Sequence, residues 1–128
     1  MADKAERRRA RQARGAKARL SGRRQEILAA ILLMLKGYRI LGFRLKTPEG
    51  EIDLLAQRGD VLAVVEVKSR TSIEAALEAV SATQRARLKR AARAIAARRT
   101  LRPNVRLDLV ALAPNSWPRH IPDAWRGG

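Results

Sequence analysis

Asp53, Glu66 and Lys68 are the side chains whose types and spacing point to chemistry in this sequence. They stand in two largely apolar stretches, Gly50-Glu51-Ile52-Asp53-Leu54-Leu55 and Val64-Val65-Glu66-Val67-Lys68. Between these, Gly59-Asp60 suits a two-residue hairpin loop joining strands Gly50–Arg58 and Val61–Lys68. Such a loop pairs Arg58 with Val61. Counting back, Asp53 falls opposite Glu66, and Glu51 opposite Lys68. Side chains alternate along a strand, so Asp53, Glu66 and Lys68 share one face. Opposed Cβ atoms lie roughly 4.5–5.5 Å apart, which brings two carboxylates together. Like charges across a ladder repel, and a carboxylate is costly to bury. Either Lys68 or a divalent cation would offset that. Mg²⁺ takes one or two carboxylates with waters and phosphate oxygens, which is what this pair offers. The bland reading, a surface salt-bridge cluster on an edge hairpin, is left open by spacing alone.

The elements that must position these residues read as an α/β domain. Both central strands carry apolar residues on both faces, with Ile52 and Leu54 set against Leu55, so helices are expected on each side of the sheet. A helix is predicted from near Ser21 to Lys36, with Gly37 as its stop, followed by a short strand Tyr38–Arg44 and a turn at Thr47-Pro48-Glu49-Gly50. Ser72–Val80 is a short helix. Ser81–Arg99 is a longer one, with Ser81 and Gln84 at capping-box spacing. It carries Arg85, Arg87, Lys89, Arg90, Arg93, Arg98 and Arg99 and no acid. Val105–Leu112 is a further strand. The proline-bearing tail with Trp117, His120 and Trp125 reads as irregular, its tryptophans packing on the domain or stacking on bases. His120 is expected to be exposed and incidental, and Asp108 to be a structural acid paired with an arginine.

The chain has 128 residues, 46% of them hydrophobic and 3% aromatic, so aliphatic side chains must build one modest core. It carries 28 Lys and Arg against 12 Asp and Glu, a formal charge of +16. Self-repulsion on that scale favours a polyanionic partner, nucleic acid first. Half of that charge lies in residues 1–24, with ten Lys or Arg against Asp3 and Glu6. Residues 1–20 therefore read as a flexible basic arm, and 21–128 as the domain. With no cysteine, disulfides and thiolate metal sites are excluded. The longest apolar run, Ile27 to Leu35, has nine residues, whereas a membrane span needs about 20. The chain reads as cytoplasmic, with no membrane partner.

The Asp53 strand followed by Glu66-Val67-Lys68 resembles the PD-(D/E)xK nuclease signature. With Gly22-Arg23-Arg24-Gln25-Glu26, Gly37-Tyr38-Arg39-Ile40-Leu41 and His120-Ile121-Pro122-Asp123-Ala124-Trp125, the chain is similar to the YraN-like family over about residues 22–125. These are small bacterial predicted endonucleases, related in fold to Holliday-junction resolvases. The resemblance implies a restriction-endonuclease-like core, a mixed central sheet flanked by helices. It implies Mg²⁺ or Mn²⁺ on Asp53, Glu66 and the Val67 carbonyl, with Lys68 acting on the attacking water. Glu26 matches an additional catalytic acid of resolvase-like members, though a helix-terminal acid favoured by the dipole explains it as well. The prefix to Asp53 is Glu-Ile where the broad signature has Pro. Gln84 either touches the scissile region or serves the helix cap. DNA is the implied partner, in branched form if the protein is a homodimer, with Arg85, Arg87, Lys89, Arg90 and Arg93 holding its backbone. The rival expectations are a non-catalytic nucleic-acid-binding module and an interaction protein that only folds like a nuclease.

Overall fold

The first helix, α1 (Lys4–Leu35), begins well before the predicted Ser21. Asp3 caps it, its carboxylate accepting the Glu6 N–H at 2.7 Å. The segment read as a flexible arm is therefore helical backbone from Lys4 on. It has no apolar stripe, but Ala, Arg, Lys, Gln and Glu are strong helix formers and suffice. In this computed structural model, residues 3–99 and 103–126 are described, and of residues 13–21 only the backbone. α1 stops as expected at Gly37, whose φ is +89°. The Gly37 N–H bonds the Met34 carbonyl and the Tyr38 N–H the Leu33 carbonyl, both at 3.0 Å, which is a Schellman ending.

Four strands and two helices follow in the expected order: β1 (Arg39–Thr47), β2 (Gly50–Arg58), β3 (Val61–Ser69), α2 (Ile73–Glu78), α3 (Ala82–Ala97) and β4 (Asn104–Leu112). A last strand, β5 (Arg119–Ile121), lies in the tail that sequence reading left irregular. The sheet order is β1-β2-β3-β4-β5. β3 and β4 are parallel and all other pairs antiparallel. A parallel pair needs a long crossover, and α2 with α3 supplies it. The chain is thus an α/β domain with a mixed central sheet flanked by helices.

Each face of the sheet has its own core. Leu33, Ala29 and Ala30 of α1 pack on Leu54, Ala63 and Val65. Leu88, Ala91 and Ala92 of α3 pack on Leu55, Leu62 and Val64. Ala76 of α2 meets Leu109 and Ala111. Alanine at the contacts lets the helices approach closely, which compensates for the scarcity of aromatics. Burying a leucine such as Leu33 or Leu62, each 0% exposed, contributes about 1.5–3 kcal/mol. Ile52 sits in the α3-side core and Leu54 in the α1-side core, so the strict alternation expected of β2 is broken at Asp53. Among the described residues, no helix is long and apolar enough to cross a membrane.

Candidate active site

The β2–β3 hairpin has the predicted register, from Arg58↔Val61 back to Leu54↔Val65. There the ladder ends, three positions short of the expected Glu51–Lys68 pair. Asp53 and Glu66 are not ladder partners, nor are Glu51 and Lys68. The Asp53 carboxylate instead takes the place of a backbone acceptor: its Oδ2 receives the Val67 N–H at 3.0 Å. The strands part around that bond and leave a cleft of about 440 Å³ against the start of α3. Asp53, Glu66 and Lys68 line it together, with Glu51, Gln84 and Arg87 nearby. The predicted trio is thus brought together by divergence of the strands and not by direct pairing.

Glu66 is 2% exposed. Burial, then the charge of Asp53, push its carboxyl up to about 8, against a smaller downward pull from Lys68. Its Oε1 is buried without a hydrogen-bond partner, and its Oε2 has only a long contact, 3.5 Å, from the Gln84 side-chain amide. An unpartnered buried polar atom costs about 1–3 kcal/mol, more if charged. Two arrangements relieve it: a proton, or a cation held between Glu66 and Asp53. The donors are hard carboxylate oxygens, one of them buried without a partner, on side chains that line the cleft. Among the described residues, no group of three or more His, Cys, Asp or Glu could hold a metal. Two carboxylates suit an ion that keeps several waters and takes substrate oxygens, as Mg²⁺ does.

Ser81 caps α3 as expected, accepting the Gln84 N–H at 3.1 Å. The reciprocal half of the capping box is replaced, since the Gln84 side chain turns to Glu66. Arg87 lines the cleft, and Arg90, three residues on, extends the same flank of α3. Lys89 and Arg93 are exposed as well and do not line the cleft. Arg85 is engaged in the fold: it donates to the Val80 carbonyl at 3.0 Å and lies over the Trp125 ring, 5.7 Å from its centroid. Glu51 is exposed at the mouth. Lys68 makes no ion pair among the described residues. Glu26 is not among the residues lining the cleft; the Arg44 guanidinium holds it at 2.9 Å, between α1 and β1.

Sequence reading missed a second polar cluster, on the α1 side of the sheet. Asp108 is paired with an arginine, as expected: Arg106 grips both its oxygens at 2.7 and 2.8 Å. His120, expected to be exposed, has a side chain only 1% exposed, and its Nε2 lies 2.8 Å from Asp108. The Lys36 ammonium can only donate to His120 Nδ1, so Nε2 carries the proton and donates to Asp108. Burial alone would raise the Asp108 carboxyl, but His120, Arg106 and the Asp123 N–H together hold it below the usual carboxylate range. The available signal was an acid two residues from an arginine in a strand. The histidine's part is tertiary and has no local signature. Trp125 packs into the cores and donates to the Leu77 carbonyl at 3.0 Å, whereas Trp117 is 91% exposed.

A mixed sheet flanked by helices, with acids and a lysine where two central strands part, is the architecture of restriction-endonuclease-like proteins. A family model described as "Uncharacterised protein family UPF0102" matches residues 25–112, and the chain belongs to that family. Its similarity extends further in individual relatives. A UPF0102 protein of Caulobacter sp. (strain K31) is 70% identical over 122 residues, 94% of this chain and 88% of the relative. One from Caulobacter vibrioides (strain NA1000 / CB15N) is 68% identical over 119 residues, 91% of this chain and 95% of the relative. One from Parvibaculum lavamentivorans is 51% identical over 107 residues, 82% of this chain and 80% of the relative. Membership agrees with the YraN-like resemblance of the motifs.

Proposed function

We propose that this chain is a divalent-cation-dependent endonuclease that hydrolyses phosphodiester bonds of DNA, branched DNA included, in the Asp53–Glu66–Lys68 cleft. The observation that carries the reading is the buried, unpartnered Oε1 of Glu66 beside Asp53. A fold that needs neither proton nor cation there has no reason to leave that atom unsatisfied.

On this reading, Asp53, Glu66 and the Val67 carbonyl hold Mg²⁺ or Mn²⁺. When bound, such an ion supplies Lewis-acid charge against the scissile phosphate and makes water a better nucleophile. Lys68 donates to the attacking water and offsets phosphate charge. Gln84 holds the Glu66 carboxylate in place. Arg87 and Arg90 carry the DNA backbone past the cleft, and the exposed arginines near the start of α1 add sequence-independent, salt-sensitive affinity. Glu26 acts through Arg44, fixing α1 on β1.

The test is cleavage of plasmid and branched DNA with Mg²⁺ or Mn²⁺. Asp53→Ala and Lys68→Ala are expected to slow cutting about a hundredfold or more. Variants that cut as fast as the parent protein would overturn the reading. So would steep salt-dependent DNA binding with no Mn²⁺ uptake, which would leave a non-catalytic nucleic-acid-binding protein.

A further inference from the structure

The last turns of α1 are apolar on both sides. Ala29, Ala30 and Leu33 face the sheet and are at most 3% exposed. On the opposite side, Ile27, Leu28, Ile31 and Met34 are 44–53% exposed and Leu35 is 82% exposed. From Ile27 to Leu35 there is no charged residue, in a chain that is 31% charged. A helix that is hydrophobic all round is a helix packed on two sides. Here one side has the sheet, and among the described residues nothing covers the other.

The relief of this face identifies its occupant. At one end, Phe43 of β1 joins Ile27 and the stems of Arg23, Glu26 and Arg44 around a recess of about 300 Å³. At the other end Leu35, the most exposed of the set, stands out as a knob. Recess and knob are eight residues apart, about 12 Å along the helix axis, with Ile31 midway. A surface with a recess at one end and a knob at the other fits itself when turned by half a rotation about its centre. Contacts under such an axis are reciprocal, the isologous pattern of two-fold dimers.

We propose that α1 is the interface of a homodimer, with two copies packed antiparallel across Ile31 and each Leu35 seated in the partner's Ile27–Phe43 recess. The six exposed side chains present roughly 600 Å² per copy, close to the ~800 Å² per partner of a standard stable interface once flanking residues are added. Charge permits the contact although each chain carries +16. The stretch Ile27–Leu35 is uncharged, Glu26 at the recess is paired with Arg44, and the antiparallel arrangement sends the two basic N-terminal halves of α1 in opposite directions. α1 and α3 lie on opposite faces of the sheet, so both clefts stay open. The interface does not depend on the nuclease reading.

The experiment is sedimentation equilibrium of the full chain, freed of nucleic acid at high salt. At about 100 μM, above the micromolar Kd an interface of this size supports, the expected mass is twice the chain's 14.2 kDa. Leu35→Glu and Ile31→Arg are expected to raise the dimer Kd about tenfold or more while leaving the circular dichroism spectrum unchanged, and the Tm unchanged at concentrations below the dimer Kd, since both residues are exposed. Because the chain has no cysteine, Ile31→Cys supplies an independent readout: a short bis-maleimide should join two copies, and should not do so at the exposed Glu74→Cys. A monomer at that concentration, or a dimer unaffected by Leu35→Glu, overturns the proposal. So does a monomer whose α1 face binds anionic phosphatidylserine vesicles and loses that binding in Leu35→Glu, which would make the occupant a lipid surface.

Discussion

Glu66 on β3 and Asp108 on β4 are buried alike, 2% and 0% exposed, on neighbouring strands of one sheet. They face opposite sides and live in opposite circumstances. Asp108 accepts from Arg106, His120 and the Asp123 backbone, and its carboxyl is held low. Glu66 has one long contact and a free oxygen, and its carboxyl is raised to about 8. Burial is therefore no guide to function by itself. Complete partnering marks an acid the fold uses, and missing partners mark one the fold keeps for something that arrives later.

The largest test of this contrast is stability. Asp108→Ala leaves Arg106 and His120 facing an empty buried site and is expected to cost about 3–5 kcal/mol, on the order of 10–20 °C in Tm by thermal denaturation. Glu66→Gln removes a carboxyl that lacks partners, so the metal-free protein should be as stable as the parent or more so. Equal losses from the two changes would erase the distinction.

The pH dependence should differ in sign. The folded value of Glu66, about 8, lies above its ordinary 4.5, so the native state binds the extra proton between them. Its unfavourable contribution is absent below about pH 4.5, grows as pH rises towards about 8, and reaches a few kcal/mol. Urea unfolding of the parent protein and Glu66→Gln between about pH 5 and about pH 9 should show a gap widening with pH. A constant gap would contradict the raised carboxyl. Asp108 is depressed, so its contribution is present above 3.8 and lost as pH falls through its folded value.

Smaller effects sharpen the picture at the rim. Arg87→Ala and Arg90→Ala should each weaken DNA binding a few-fold and lower the salt slope by about one, read from titrations at several salt concentrations. Glu26→Ala breaks a pair whose arginine is 35% exposed, so it should cost no more than about 1 kcal/mol and change cleavage little. A cleavage loss as large as that of Asp53→Ala would return Glu26 to the catalytic set.

Local rules carried the reading of the sequence a long way. The Gly59-Asp60 loop set the Arg58–Val61 register, and Ser72 and Ser81 set the starts of α2 and α3. Alternation pointed to a shared face for Asp53, Glu66 and Lys68, and they do line one cleft, although by divergence of the strands. What escaped was tertiary. Alternation cannot announce that a ladder will stop at Leu54, because that depends on Asp53 bonding Val67. The first half of α1 has no apolar period, so only propensity marks it. β5 has three residues, too few for a pattern, and exists because β4 offers it an edge. His120 is placed by Asp108, Lys36 and Tyr38, which lie far from it in sequence.

The bond from the Val67 amide to Asp53 bears on how this cleft can be disarmed. An alanine at that position removes the charge and the wedge together, freeing the two strands to zip shut. Asparagine keeps an oxygen of the same reach, so Asp53→Asn should hold the seam open while silencing it. Such a propped, inert chamber is the form in which an uncut ligand could be caught and seen.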